Sequence, residues 1–375
     1  MLQRRTWVFL KGQRCYPNTY ALLIGDPGIG KGNAMKFLAQ WLKDMNQDHF
    51  KMAPDGLTQR AFYEVLEAAK TAPGGVDGEQ HALTAFIEEL GVFLKAGDTA
   101  FIYALCHIYD CPNRFHYKTA SAGENFMTNA AFTLLAACTP KALKDLFTDE
   151  VMELGISART IIIYASMDEI QEVPIFGKRN THEQMEKDLR YDLDRIRDSI
   201  HGEYDFEDQA AEFLVEWKSK GMVPVPKDPR FIHYNSRRFV QIIKLCQIMA
   251  ASKRDESIIL LEDIQRAKDF LLEAEVVMPE AIKSIGQNPL LDQQQAIIKL
   301  VNEVWDRLGK PTPEEMLYQS IGRDIAPHQM YSLLEYVNSA KWVEARGEKP
   351  SRMYYPRGRA PKERTTKTVY RQHEN

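Results

Sequence analysis

The chain has 375 residues, a length that as a prior makes two or three domains, and its 44% hydrophobic content is enough for a substantial core. Forty-eight Lys and Arg stand against 52 Asp and Glu, a net charge of −4, which excludes wholesale coating of nucleic acid but leaves room for a local basic surface. Residues 346–375 carry nine Lys/Arg and three Asp/Glu, so a basic tail follows an acidic body. That tail points to an anionic partner, most simply nucleic acid, or else to a solvated end. No stretch approaches the ~18 consecutive apolar residues of a membrane span, and the apolar patch at 7–10 meets Lys11 too soon for a signal peptide. No membrane partner and a cytoplasmic location are expected. Five cysteines without a CxxC pair read as reduced, buried thiols; Cys106 and Cys111 flank His107 but lack a second half-site for zinc.

In chain order, short apolar runs at 20–24, 82–87, 132–137 and 160–164 predict buried strands, with helical patterns between them. This alternation over residues 1–165 predicts an α/β sheet flanked by helices. Residues 169–180 turn to Pro, Gly and charge, a predicted linker. Helical periodicity then dominates 182–285, with Phe213, Leu214 and Trp217 on one stripe and Val240, Ile243 and 245–249 on another. Residues 293–308, a segment opened by Thr312-Pro313-Glu314-Glu315, and 327–339 predict three more helices. Residues 342–346 and 352–355 then flank Gly347-Glu348-Lys349-Pro350 as a β-hairpin. Three helices followed by a hairpin is the order of a winged helix.

Gly25-Asp26-Pro27-Gly28-Ile29-Gly30-Lys31 directly follows the first apolar strand and precedes a helix beginning near Asn33. This is G-x-x-x-x-G-K in strand–loop–helix context. Glycines permit the positive φ angles that turn successive N–H groups toward a phosphate, the helix N-terminus adds its positive end, and Lys31 adds a full charge. ATP with Mg²⁺ is the expected ligand. The Ser/Thr that usually ligates Mg²⁺ after the lysine is here Gly32, and Asn33 lies about 100° further round the helix. Nucleotide binding is therefore expected more firmly than fast turnover.

Glu88-Glu89 ends the run 82–87, the place for Walker B chemistry: Glu88 to organise the metal's water shell, Glu89 to polarise the attacking water. Asp is commoner than Glu at the first position. Thr139 ends another apolar strand and either orients that water or caps the next helix. Arg159 precedes the strand at 160–164, where it either reaches the nucleotide of an adjacent subunit or serves as a structural arginine. Arg238, in Asn235-Ser236-Arg237-Arg238 at the start of a helix, is the candidate γ-phosphate contact from the lid.

The phosphate loop, Glu88-Glu89, Thr139 and Arg159 occur in the order of an AAA+ ATPase core. More narrowly, the chain resembles P-loop replication proteins of phages and mobile elements, in 53–58, 86–90, the stretches 109–110 through 117–119, and 155–159. The resemblance spans residues 15–285. It implies an AAA+-type αβα core at 1–167 and a helical lid subdomain at 168–288; the element order and charge read above add a winged-helix domain at 289–356 and a basic tail at 357–375. It implies a helicase-like or helicase-loader-like ATPase acting in DNA replication as a ring; the favoured reading is an ATP-dependent helicase-like or translocase-like motor that hydrolyses ATP between subunits of a hexameric ring, with replication proteins as further partners.

A predicted hairpin over 114–127 stands just before the strand that ends at Thr139, where ring helicases of this class place a DNA-gripping hairpin. Arg114 and Lys118 are the candidate phosphate contacts, with Phe115 or Tyr117 stacking on bases; the alternative is that the aromatics pack inward. In the winged helix, Arg346, Lys349 and Arg352 are candidates for the DNA backbone, although helix 327–339 is poor in Lys and Arg, and protein docking is the alternative. Competing functions are a helicase loader or initiator using ATP as an assembly switch, which Gly32 favours slightly, and a non-catalytic nucleotide-gated scaffold. A small-molecule kinase is weaker, since no acceptor-binding lid is evident.

Overall fold

A computed structural model describes residues 1–360 except 45–49, 73–77, 120–122, 149–150, 152–153, 167–182, 284–288, 322–324, 326 and 349–350; a few residues, Lys118 among them, are described in backbone only. The expected linker at 169–180, Lys349 and most of the basic tail lie outside the described residues. The protein is mixed α/β, about 52% helical, with sheets of mixed orientation. It divides into two compact units, Met1–Gly286 and Gln287–Asn375.

The first unit begins with strands β1 (Thr6–Leu10) and β2 (Gln13–Cys15), followed by β3 (Tyr20–Ile24) and helix α1 (Lys31–Asp44). Next come α2 (Gln59–Ala68), β4 (Lys70–Thr71), β5 (Gln80–Ile87), α3 (Leu90–Phe93) and α4 (Thr99–Tyr109). A hairpin of β6 (Arg114–Thr119) and β7 (Gly123–Thr128) leads into β8 (Ala130–Cys138), then α5 (Pro140–Leu146), α6 (Ile156–Arg159) and β9 (Thr160–Tyr164). The main sheet has the order β4-β5-β8-β3-β9. β5, β8, β3 and β9 run parallel, in a register that aligns Leu22 with both Ala136 and Ile162. Their apolar runs are continuous because helices cover both faces, so no alternation is required. At the edge, β4 runs antiparallel to the start of β5, while Met52 makes a parallel bridge to Thr84.

On one face, Phe62, Phe93, Phe101 and Phe132 interlock, most pairs edge-to-face, with Phe62 and Phe132 centroids 4.9 Å apart. That geometry sets the positive ring edges of one aromatic against the negative face of the next. The other face is covered by helices α7 (Glu183–Ser199), α8 (Asp208–Ser219), α9 (Ile232–Ala251) and α10 (Leu261–Ala281). Ile161 of β9, Val8 of β1, Leu214, Ile242 and Leu271 share one buried cluster there. β1 also pairs in parallel with Gly202–Glu203. The predicted boundary at 167/168 therefore does not separate two cores: the helical segment needs the sheet to bury its apolar face, and 1–286 is one unit.

The second unit holds helices Pro289–Leu308, Glu314–Ile321 and Pro327–Ser339 and an antiparallel sheet in which Met353–Pro356 lies between Thr312–Pro313 and Val343–Arg346. Ile297, Val301, Leu317, Leu334 and Tyr354 form its core. Among the described residues, no helix is long and apolar enough to cross a membrane.

Candidate phosphate-binding site

The site begins where β3 ends. Between Ile24 and α1 the chain must reverse within six residues, and it does so through Gly28 and Gly30 at φ +88° and +91°, a region that side chains rarely adopt. Gly25 is required for a different reason: a Cβ there would stand 2.7 Å from the Ala165 carbonyl oxygen and 3.2 Å from Ile29. Gly25→Ala is expected to displace the loop, costing about 1–3 kcal/mol as overpacking does; urea unfolding reads the stability and calorimetry the accompanying loss of triphosphate affinity.

The loop's fixed points come from the sheet. Gly25 N–H donates to the Cys138 carbonyl at 3.4 Å, and Ala165 N–H to the Ile24 carbonyl at 3.0 Å, so the ends of β8 and β9 flank it. Lys31 Nζ donates to the carbonyls of Gly25 and Asp26 at 2.6 and 2.9 Å, folding its ammonium over the turn. Asp26, Pro27 and Ile29 complete the turn, and Gly32 and Asn33 open α1. Cys138 sits against this loop, but burial pushes its thiol up to about 11, so it remains protonated at neutral pH and is no nucleophile.

Glu88 and Glu89 stand where β5 ends, both exposed. A Cβ on Gly32 would lie 3.7 Å from Glu88 Oε2, so the position that usually carries a metal-binding hydroxyl faces this carboxylate directly. The Lys36 ammonium, one turn further along α1, is 3.4 Å from the same oxygen. Both side chains are largely exposed, so this pair is weak and readily exchanged. Gly32 itself carries no hydroxyl for a metal, and among the described residues no group of three His, Cys, Asp or Glu is gathered for a cation. An Mg²⁺ ion fits only as a companion of a triphosphate, not as a resident of a protein cage. Beside Glu88 a cleft of about 740 Å³ runs between α1 and the end of β5, lined by Lys36, Lys43, Asp55, Phe86, Glu88 and Glu89.

Several predicted residues take structural partners, for Thr139 and Arg159 the alternative that the sequence left open. Thr139 follows β8 beside the loop, but its Oγ accepts from Ala142 N–H at 3.2 Å and caps α5. Arg159 lies at the opposite end of the sheet, only 9% exposed, its Nη2 donating to Asp110 Oδ2 at 2.7 Å and its Nη1 to the Gly155 carbonyl. Burial opposes its charge, yet the hydrogen bond and field of Asp110 more than offset this and hold its pKa above the usual arginine value. It is a tethered structural arginine, not a free finger. Arg238 is corrected most sharply. At 1% exposure it makes a two-pronged contact with Glu275, Nε to Oε1 and Nη2 to Oε2 at 2.7 Å each, and donates to the Met222 and Pro224 carbonyls. It pins α9 to α10, its guanidinium held by a carboxylate and two carbonyls.

The hairpin β6–β7 pairs Arg114 with Thr128 and Lys118 with Glu124. Its pleat turns Phe115 and Tyr117 inward, where Tyr117 stacks on Tyr63 at 4.6 Å, so neither is offered to bases. The outward face carries Arg114 and His116, and Phe126, 67% exposed, stacks on His116 at 4.4 Å with planes 9° apart. The period of two in Arg114-Phe115-His116-Tyr117 already contained this signal. In the second unit Arg346 lies 4.0 Å from Glu344, while Arg352 pairs with Glu335 and covers the Tyr354 ring. Arg352 therefore ties the hairpin to helix Pro327–Ser339 instead of facing a DNA backbone. No protein-family model and no curated protein matches the chain.

Proposed function

We propose that the protein is an AAA+-type P-loop ATPase with a C-terminal winged helix, acting as a helicase-like or translocase-like motor on single-stranded or forked DNA, and assembling with copies of itself into a ring. The observation that carries this reading is the glycine turn at 25–31, set between a central parallel strand and a helix N-terminus, with Glu88 facing Gly32 across the gap. The strand order supports it: the loop strand β3 lies between β8 and β9, and the carboxylate strand β5 lies beyond β8.

In this reading the loop N–H groups and Lys31 hold the β and γ phosphates, for which the lysine exchanges its two carbonyl partners. Glu89, free of the ion pair that occupies Glu88, polarises the attacking water. Mg²⁺, brought by the nucleotide, supplies charge neutralisation of the phosphates, with Glu88 the residue that would face it. ATP turnover with and without single-stranded DNA, together with strand displacement on a forked duplex, tests the function. Turnover with displacement supports a motor; DNA-stimulated turnover without displacement supports a helicase loader, the second reading that Gly32 favours; no turnover at all retires both.

The hairpin's role is tested separately. Base stacking on an exposed aromatic is worth about 1–3 kcal/mol, so Phe126→Ala is expected to weaken single-stranded DNA binding by roughly tenfold or more while ATP affinity holds. Fluorescence anisotropy with a labelled oligonucleotide reads it, and an unchanged affinity removes the hairpin from the DNA path.

A further inference from the structure

A second cavity, of about 330 Å³, opens at the other end of the sheet, near the start of β3. Its walls include Arg14, Cys15, Tyr109, Asp110, Arg237 and Lys244. β3 spans five residues, so roughly 17 Å of strand separates this cavity from the phosphate loop. One anion cannot touch both.

The charge balance here is lopsided. Three cations and a single carboxylate line the cavity, and that carboxylate is already shared: Asp110 Oδ1 accepts from Arg237 Nη1 at 2.9 Å and Oδ2 from Arg159 Nη2 at 2.7 Å. Lys244 is 3% exposed, and its ammonium donates only to neutral groups, the Tyr16 carbonyl and Asn18 Oδ1, over the face of the Tyr109 ring at 4.2 Å. Burial pushes Lys244 below the usual lysine range. Behind the cavity wall, Arg4, 2% exposed, donates to the carbonyls of Cys111, Pro112 and Ala130. Among the described residues neither Arg4 nor Lys244 has a carboxylate within ion-pair distance. Buried cations held only by neutral acceptors are costly, and the field they project into a neighbouring cavity favours an incoming anion.

We propose that this cavity is a second anion site, taking a phosphate-class oxyanion: free phosphate or pyrophosphate, or the polyphosphate end of a nucleotide. Arg237 and Arg14, the half-buried and exposed cations of its rim, make the contact, while Lys244 and Arg4 supply field from behind. The proposal rests on charge balance and geometry, not on the reading of the glycine loop.

The test uses the full chain carrying Lys31→Ala, which disables the loop. Isothermal calorimetry with inorganic phosphate, pyrophosphate and ATP at low ionic strength is expected to find one remaining binding event, weakened as salt is raised. Arg237→Gln should weaken it at least tenfold, and Arg14→Gln, whose exposed guanidinium also stacks on the Trp7 ring at 4.2 Å, several-fold, with matched thermal melts showing that both variants fold. Equal affinity for pyrophosphate and ATP assigns a free oxyanion; tighter ATP binding assigns a nucleotide. No binding of any of the three probes, or binding indifferent to both arginine variants, overturns the site. Loss of the loop's own binding in the wild-type chain with this event retained would instead strike only the ATPase reading.

Discussion

Lys31→Ala is expected to weaken ATP binding at the glycine loop by roughly a hundredfold. An ammonium about 4 Å from a phosphate oxygen gains about 4 kcal/mol at the effective dielectric near a protein surface, and exchange of its two carbonyl hydrogen bonds returns part of that. A net loss of about 3 kcal/mol corresponds to roughly a hundredfold in affinity. The substitution should leave the fold alone, because Lys31 is incompletely buried and its partners are carbonyls of an exposed turn. Calorimetry with ATP and Mg²⁺ on the wild-type and variant chains, with matched thermal melts, decides it. High-affinity ATP binding in the variant that is undiminished and persists when Arg237→Gln is added would sink the assignment of the loop and the proposed function with it.

The second large effect is on stability. Glu275→Ala leaves the Arg238 guanidinium buried with only the neutral Met222 and Pro224 carbonyls as acceptors, and stranding one partner of a buried pair costs about 3–5 kcal/mol. Tyr234, whose hydroxyl donates to Glu275 Oε1 at 2.9 Å, loses its partner too; burial already holds that hydroxyl well above the usual tyrosine pKa. The pair variant Arg238→Met with Glu275→Leu should recover most of the loss, since an apolar pair of similar volume leaves no charge uncompensated. Urea unfolding of the three chains measures this. The pair variant should also bind ATP as the wild type does; a hundredfold drop there would restore Arg238 to the nucleotide and contradict its placement between α9 and α10.

The contrast between Lys31 and Arg238 shows which kinds of feature a sequence can display. The glycine loop was legible because its chemistry is local: seven consecutive residues between a strand and a helix contain the turn, the donors and the charge. The strands at 20–24, 82–87, 132–137 and 160–164 were legible because strands buried on both faces must be apolar throughout, and Glu88 because it ends such a run. The three helices and hairpin of 289–356 followed from periodicity and turn residues in the same way. Hairpin β6–β7 was half legible: its strands were expected, and the alternation in Arg114-Phe115-His116-Tyr117 held the information that Phe115 and Tyr117 share a face. Which face turned inward depended on Tyr63, some fifty residues earlier, against which Tyr117 stacks.

The arginines mark the boundary. Arg159, Arg238 and Arg352 each sat at a plausible functional position, and each is bound by a carboxylate distant in sequence: Asp110, Glu275 and Glu335. An arginine carries the same charge whether it waits for a phosphate or neutralises a buried acid, and its neighbours in the chain are silent on which. The same holds for the cluster of Arg14, Asp110, Arg237 and Lys244, assembled from three separate segments: β2, the end of α4, and α9. Local order and backbone chemistry were thus set by neighbouring residues. Whether a charge is spent or available was settled by packing, because electrostatic partners meet through space and desolvation, not through sequence proximity.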